Sequence, residues 1–269
     1  MPKAFWKGAI SFGLVVIPVK MSVATETKSI SFHVLHKKCL TRPKQVWHCE
    51  QDKEYFSSAE TVRGYEYTKD QYVVLEENIF EKIPIKTIHS INILGFVGEN
   101  EIDPLYYHGN HYLEPEELGI KPFALLRDAL VKTQRVGVAK VTFQKREHLC
   151  CLRPLEDIMI LQTMYYQDEI LPRNEVPPLK QKLATEELDM AVSLVNTMVT
   201  SFKPAEYKDE YVDALKKVVE SKVKGVEIKE PKPQKVEPID LMSALRISIQ
   251  NAKKETQTRE KVAAGRSSK

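Results

Sequence analysis

Between Ala9 and Val19 the chain reads AISFGLVVIPV, a largely apolar stretch rich in β-branched residues and broken by Gly13 and Pro18. Glycine weakens a helix interior and proline removes a backbone donor while clashing with the preceding turn. A run of this composition, bounded in this way, predicts one or two buried strands. It also falls short of the roughly 18 apolar residues that a membrane helix needs. Trp6, Lys7, Pro18 and Lys20 interrupt it where a signal peptide keeps an unbroken apolar core, so no signal peptide is expected. Lys3 and Lys7 flank the aromatic pair Phe5-Trp6, and core packing is the expected fate of both rings.

The same periodicity continues downstream. Apolar and polar residues alternate over 29–35 and 86–97, and residues 64–75 are aromatic and β-branched, which predicts further strands, with Gly95–Gly98 read as a closing turn. Residues 103–113 are rich in aromatics, and His108-Gly109-Asn110 suggests a turn between two short strands. Residues 122–133 predict a helix that starts at Pro122 and places Phe123, Leu126 and Leu130 on one face. A hairpin over 136–143 and 148–153 and a strand near 158–161 follow. Many short strands with regular turns favour a barrel. After Pro177-Pro178 the pattern turns helical. Residues 185–200 carry Leu188, Ala191, Val192, Val195 and Val199 in register, and residues 209–224 end at Gly225, a helix-terminating residue. A Pro- and Lys-rich linker spans 229–238, Asp240 is placed to cap a short helix to about Lys254, and residues 256–269 read as a frayed tail.

Charge is distributed unevenly. Residues 1–50 carry eight Lys/Arg against two Asp/Glu and residues 215–269 fourteen against seven, whereas residues 51–214 carry eighteen against twenty-eight. Basic ends around an acidic middle suit a chain that meets a polyanion on one face. Four cysteines, Cys39, Cys49, Cys150 and Cys151, do not make a disulfide framework at this length, which leads to the expectation of a reducing cytoplasm and a nucleoid-associated protein. Adjacent Cys150 and Cys151 on a strand point to opposite faces.

Several blocks together resemble bacterial Ku proteins. The opening Trp6-Lys7-Gly8 through Phe12-Gly13-Leu14-Val15 to Ile17-Pro18-Val19-Lys20 matches their first strands. Arg63-Gly64-Tyr65-Glu66-Tyr67 running to Tyr72-Val73-Val74-Leu75 is a second match, and Tyr106-Tyr107 with His111-Tyr112-Leu113-Glu114-Pro115 a third. Phe202-Lys203-Pro204, Tyr207, Asp209-Glu210-Tyr211 and Ala214-Leu215 form a fourth. Their order holds from residue 3 to 225. The resemblance implies an α+β, mainly β fold: a Ku-type β-barrel core that forms a homodimeric ring, with a C-terminal helical arm and a short tethered helix. The expected divisions are a barrel core with ring-forming insertions over 1–180, the arm over 181–225, and the linker and terminal helix over 226–269. It further implies binding of double-stranded DNA ends without sequence preference and no catalytic activity. Pro238-Ile239-Asp240-Leu241-Met242 with Ala244-Leu245 resembles the element through which the family recruits the ATP-dependent DNA ligase of bacterial end joining. Asp240, Leu241, Met242, Leu245 and Ile249 are its candidate contacts.

A ring that accepts any sequence grips phosphates, which calls for Lys and Arg. The candidates are Lys3, Lys7 and Lys20 around the first strands, Lys37, Lys38, Arg42 and Lys44 in a basic loop, and Arg127, Lys132 and Arg135 on or after the 122–133 helix. For each, an ordinary solvated cation is the competing reading. His36, Cys39, His48 and Cys49 offer zinc-ligand chemistry, but adjacent His48-Cys49 on one strand point apart and Asp52 stands where a Cys-x-x-Cys pair needs its second cysteine. No metal site and no cofactor are expected. Phosphate-loop, dinucleotide, zinc-protease and nucleophile-elbow motifs are absent. The remaining alternatives are a monomeric barrel adaptor for nucleic acid without end preference and, less favoured, a zinc-dependent nuclease.

Overall fold

The computed structural model describes residues 3–76, 79, 87, 89–173, 177, 183–225 and 241–266. They fall in two compact units, Met1–Glu175 and Val176–Lys269.

The first unit holds eleven strands among the described residues. They are β1 (Ala4–Phe12), β2 (Val15–Val23), β3 (Trp47–His48), β4 (Tyr55–Phe56), β5 (Arg63–Thr68), β6 (Gln71–Leu75), β7 (Ser90–Gly98), β8 (Tyr107–Pro115), β9 (Arg135–Phe143), β10 (Arg146–Leu155) and β11 (Ile158–Met164). Seven of them close a barrel in the order β1-β2-β8-β11-β10-β9-β7, and the seam between β1 and β7 is parallel. Closure removes the free edges that an open sheet would expose.

The opening run forms β1 and β2, joined through Gly13 at φ +59, where a side chain would be strained. Trp6 and Ile10 point inward, and Gly8 between them has no room for a Cβ, which would lie 2.4 Å from the Trp6 ring and from the His89 carbonyl oxygen. Trp6 Nε1 donates to the Thr142 carbonyl oxygen at 3.1 Å. The interior is filled by Ile10, Ile17, Val19, Met21, Ile91, Val141, Leu152, Met159 and Leu161, all without solvent exposure. Helix α1 (Ile120–Thr133) lays Phe123, Leu126 and Leu130 on this core and ends at Gln134 in the left-handed region. Cys150 and Cys151 do face opposite ways: the first joins the interior, the second an outer cluster with Val136 and Met164. Burial raises the Cys150 thiol strongly and pushes the Cys151 thiol up to about 11.

Three local expectations are corrected. Residues 29–35 form no strand; the alternation is present, but the segment is exposed and has no ladder partner among the described residues. β8 runs unbroken through His108-Gly109-Asn110, because Thr163 Oγ1 accepts from the Gly109 amide and β11 pairs alongside. Gly95–Gly98 belongs to β7, bulged against β9, and is not a turn.

The second unit holds α2 (Thr185–Thr197), α3 (Glu210–Val223) and α4 (Leu241–Arg266). Asp209 caps α3, its Oδ1 accepting from the Val212 amide at 3.0 Å, and Gly225 at φ +69 follows the helix end. α4 continues past Lys254 into the stretch expected to fray, where Glu260, Lys261, Ala263 and Ala264 are good helix formers. α4 packs along α2, with Met242, Leu245, Ile249 and Ala252 half-buried at a spacing of three or four residues. The linker and Asp240 lie outside the described residues.

Candidate nucleic-acid interface

Strand pairing brings together cations that are thirteen residues apart in sequence. Lys7 on β1 and Lys20 on β2 stand directly opposite each other, and Glu114 on β8 is the next residue across from Lys20. Their neighbours Trp6, Val19 and Met21 fill the interior, so both ammonium groups sit on the outer wall. Like charges directly opposite, with Cβ atoms about 5 Å apart, repel unless an anion lies between them. Lys3 is exposed just before β1.

Other cations on this wall are already paired. Lys140 Nζ lies 3.0 Å from Glu147 Oε2, and the Thr87 hydroxyl donates to the other oxygen of that carboxylate at 2.8 Å. These contacts hold Glu147 below the usual carboxylate range and raise Lys140. Arg146 pairs with Glu169, and Arg153 with Glu99 at 2.6 Å. Lys7, Lys20, Lys37, Lys38, Arg42 and Lys44 form no ion pair among the described residues. That contrast was not visible in the charge count.

The basic loop sits in an arm without a core of its own. From Ala24 to Glu76 no residue is buried. Lys37, Lys38 and Cys39 form a tight turn, closed by the Leu40 amide donating to the His36 carbonyl oxygen and the His36 amide to that of Thr41. Cys39 Sγ is 2.9 Å from Thr41 Oγ1 and 3.0 Å from His36 Nδ1, contacts that lower its thiol to about 7. Cys49 donates to Asp52 Oδ2 at 3.3 Å, and the His48 ring lies against Tyr55. Among the described residues no three such side chains converge to hold a metal ion. The β5–β6 hairpin adds Tyr65, Tyr67 and Tyr72, each more than half exposed, an aromatic surface that the sequence marked only as part of a resembling block and not as a site.

The α1 candidates behave differently. Arg127 Nη1 donates to the Asp157 carbonyl oxygen at 2.8 Å and its guanidinium pairs with Asp128, which ties α1 to the β10–β11 turn. Lys132 and Arg135 are exposed at the barrel mouth, away from the Lys7–Lys20 row. Trp6 is buried as expected, whereas Phe5 stays 41% exposed against His111 and Phe143. In α4, Leu245 and Ile249 face α2 while Leu241 is 57% exposed.

Most of the seven-stranded barrel lies within a stretch that matches a known family. Residues 11–190 match the family described as Ku70/Ku80 beta-barrel domain. The chain belongs to the Ku family. It is 39% identical over 253 residues to the "Non-homologous end joining protein Ku" of Solibacter usitatus, covering 94% of this chain and 95% of that one. The protein of the same description from Symbiobacterium thermophilum is 38% identical, over 93% of this chain and 63% of that longer protein. The one from Archaeoglobus fulgidus is 37% identical, over 93% of this chain and its own full length. No helix among the described residues is long and apolar enough to cross a membrane.

Proposed function

We propose that this Ku-family chain binds double-stranded DNA ends without reading their sequence, as a homodimeric ring. The observation that carries the reading is a set of cations on the outer wall and arm, Lys3, Lys7, Lys20, Lys37, Lys38, Arg42 and Lys44, that form no ion pair among the described residues, in a chain of this family. Lys and Arg that lack acidic partners are free to meet phosphates, and phosphate contacts are blind to base identity. The arm supports closure around a duplex, because a two-stranded hairpin with an exposed aromatic face is marginal in water and gains from a partner. One such chain is too small to encircle DNA, and a two-fold pair supplies the second half. The helices over 185–224 are the arms that cross onto the partner.

The protein acts as a scaffold in the reducing compartment that holds the chromosome, and it passes ends to an ATP-dependent DNA ligase through α4. Leu241 points outward there, and Leu245 and Ile249 become available when α4 leaves α2. Replacing Leu241 and Leu245 by Ala is expected to abolish ligase stimulation with DNA binding unchanged; equal loss of both removes the recruitment role.

The deciding experiment compares one duplex as a linear fragment and as a closed circle, by gel shift at two salt concentrations. Binding to the linear form alone, with the protein trapped when the fragment is later circularised, supports a threaded ring. Equal binding to both forms favours a basic adaptor without end preference.

A further inference from the structure

The helix proposed to recruit the ligase is already docked on its own chain. Along α4, Met242, Leu245, Ile249 and Ala252 recur at intervals of three, four and three residues, and all are half-buried. This is the spacing with which one face of a helix meets a partner. On α2 the corresponding half-buried row is Glu187, Met190, Ala191 and Leu194. The two helices pack on each other, and these rows are what each of them covers. Leu241, at the start of α4, stays 57% exposed.

Charge and packing together define the dock. Between Leu241 and Lys254, α4 carries Arg246, Lys253 and Lys254 and no acid, whereas α2 carries Glu186, Glu187 and Asp189 and no Lys or Arg. An acidic helix and a basic one complement each other along a shared apolar seam. The seam is thin: no described residue of α2 or α4 is buried. Elements with few buried apolar contacts open locally at small cost in free energy. A tighter partner can therefore displace this one.

Met242, Leu245 and Ile249 belong both to the docked row and to the candidate ligase contacts. They cannot fill a groove on the ligase while they lie on α2. We infer that α2 is an intramolecular latch on α4: it offers the apolar, acid-flanked surface that the ligase must also offer, and the ligase binds by displacing it. This rests on the recruitment reading and names what regulates it. The observed affinity for ligase is the intrinsic affinity scaled by the fraction of chains in which α4 is undocked. Exposed Leu241 is the contact open to an incoming ligase before the latch is released.

The test uses the full chain and the purified ATP-dependent end-joining ligase of the same organism. Ligase binding is read by titration calorimetry without DNA, and the α4 amides by hydrogen exchange in the free chain. Met190→Ala/Leu194→Ala strips the latch on the α2 side, and alanine keeps the helix propensity. Ala252→Glu loosens it from α4, outside the candidate ligase contacts, by pressing a carboxylate towards the acids of α2. Circular dichroism and binding to a linear duplex verify the rest of the fold. Both variants are expected to exchange their α4 amides faster and to bind ligase roughly tenfold more tightly, the gain open to a site that is about one-tenth available. Faster exchange with unchanged ligase affinity overturns the latch and leaves recruitment standing. Equal exchange in wild type and both variants overturns it as well, since α4 then has no dock to lose. Weaker ligase binding by Met190→Ala/Leu194→Ala also overturns it and makes α2 part of the ligase surface. Ligase binding that survives Leu241→Ala/Leu245→Ala, or that is absent from wild type and variants alike, overturns the recruitment reading and this inference with it.

Discussion

The barrel and the arm are built from similar residues and spend them differently. In the barrel, Ile, Val, Leu and Met alternate with polar residues, and one set disappears entirely from solvent. In the arm between Ala24 and Glu76, Trp47, Tyr55, Tyr65, Tyr67 and Tyr72 are at least half exposed and nothing is buried. The barrel is stabilised from within. The arm is a surface whose energetic return comes from what it touches, which suits a part meant to close over a ligand.

That contrast can be broken most directly at the core. Leu152→Ala, in the fully buried interior, is expected to lower unfolding stability by about 2–5 kcal/mol, read by chemical denaturation. A loss below about 1 kcal/mol would mean that the barrel interior is not the main support of the first unit. Next in size is a charge effect. Reversing Lys37 and Lys38 to Glu should weaken DNA binding equally across sequences and flatten the log–log salt slope by roughly 2, measured by titration at several salt concentrations. An unchanged slope removes the arm from the DNA path.

A smaller effect is set by histidines at the barrel mouth opposite α1. His148 stacks on Phe143 at 4.2 Å, His111 touches Phe143 and Phe5, and each has a buried ring nitrogen without a hydrogen-bond partner. Burial lowers both below the ordinary value of 6.5. The unfolded chain therefore binds protons that the folded chain refuses, and stability that is intact above pH 6.5 falls as pH drops below it. The melting temperature is expected to fall by a few degrees between pH 7.5 and 5.5, and His148→Gln should reduce that shift. A flat profile would show that the two rings take up protons without penalty. The smallest effect belongs to the arm: Tyr65→Ala should leave the stability of the free protein within about 0.5 kcal/mol while weakening DNA binding or dimerisation.

Much of the barrel was legible because burial imposes a period on the sequence, and Phe123, Leu126 and Leu130 marked the helix over its mouth for the same reason. The segment 29–35 shows the limit: its alternation is as good as that of β2, but a strand also needs a neighbour, which local pattern does not report. α2 shows another, since Leu188, Val192 and Val195 were in register yet face outward, and Met190 and Leu194 meet α4. Two apolar faces on one helix leave the sequence undecided. The interface was legible as residue types only. That Lys7 faces Lys20, that Lys140 and Arg153 are paired, and that Arg127 serves the β10–β11 turn all depend on the register of strands far apart in the chain.

The Lys7–Lys20 row has a consequence for the solution around it. Two lysines rooted at ladder spacing, with Glu114 next across from Lys20, make a row where the binding of an anion relieves like-charge repulsion. On the proposed DNA path, a duplex arriving there would displace any such anion, so binding would be an exchange on the protein's side as well as the DNA's. The identity of the buffer anion is then expected to matter and not only its concentration: if a carboxylate such as glutamate is held more weakly than chloride, DNA binding measured in glutamate should be the tighter of the two.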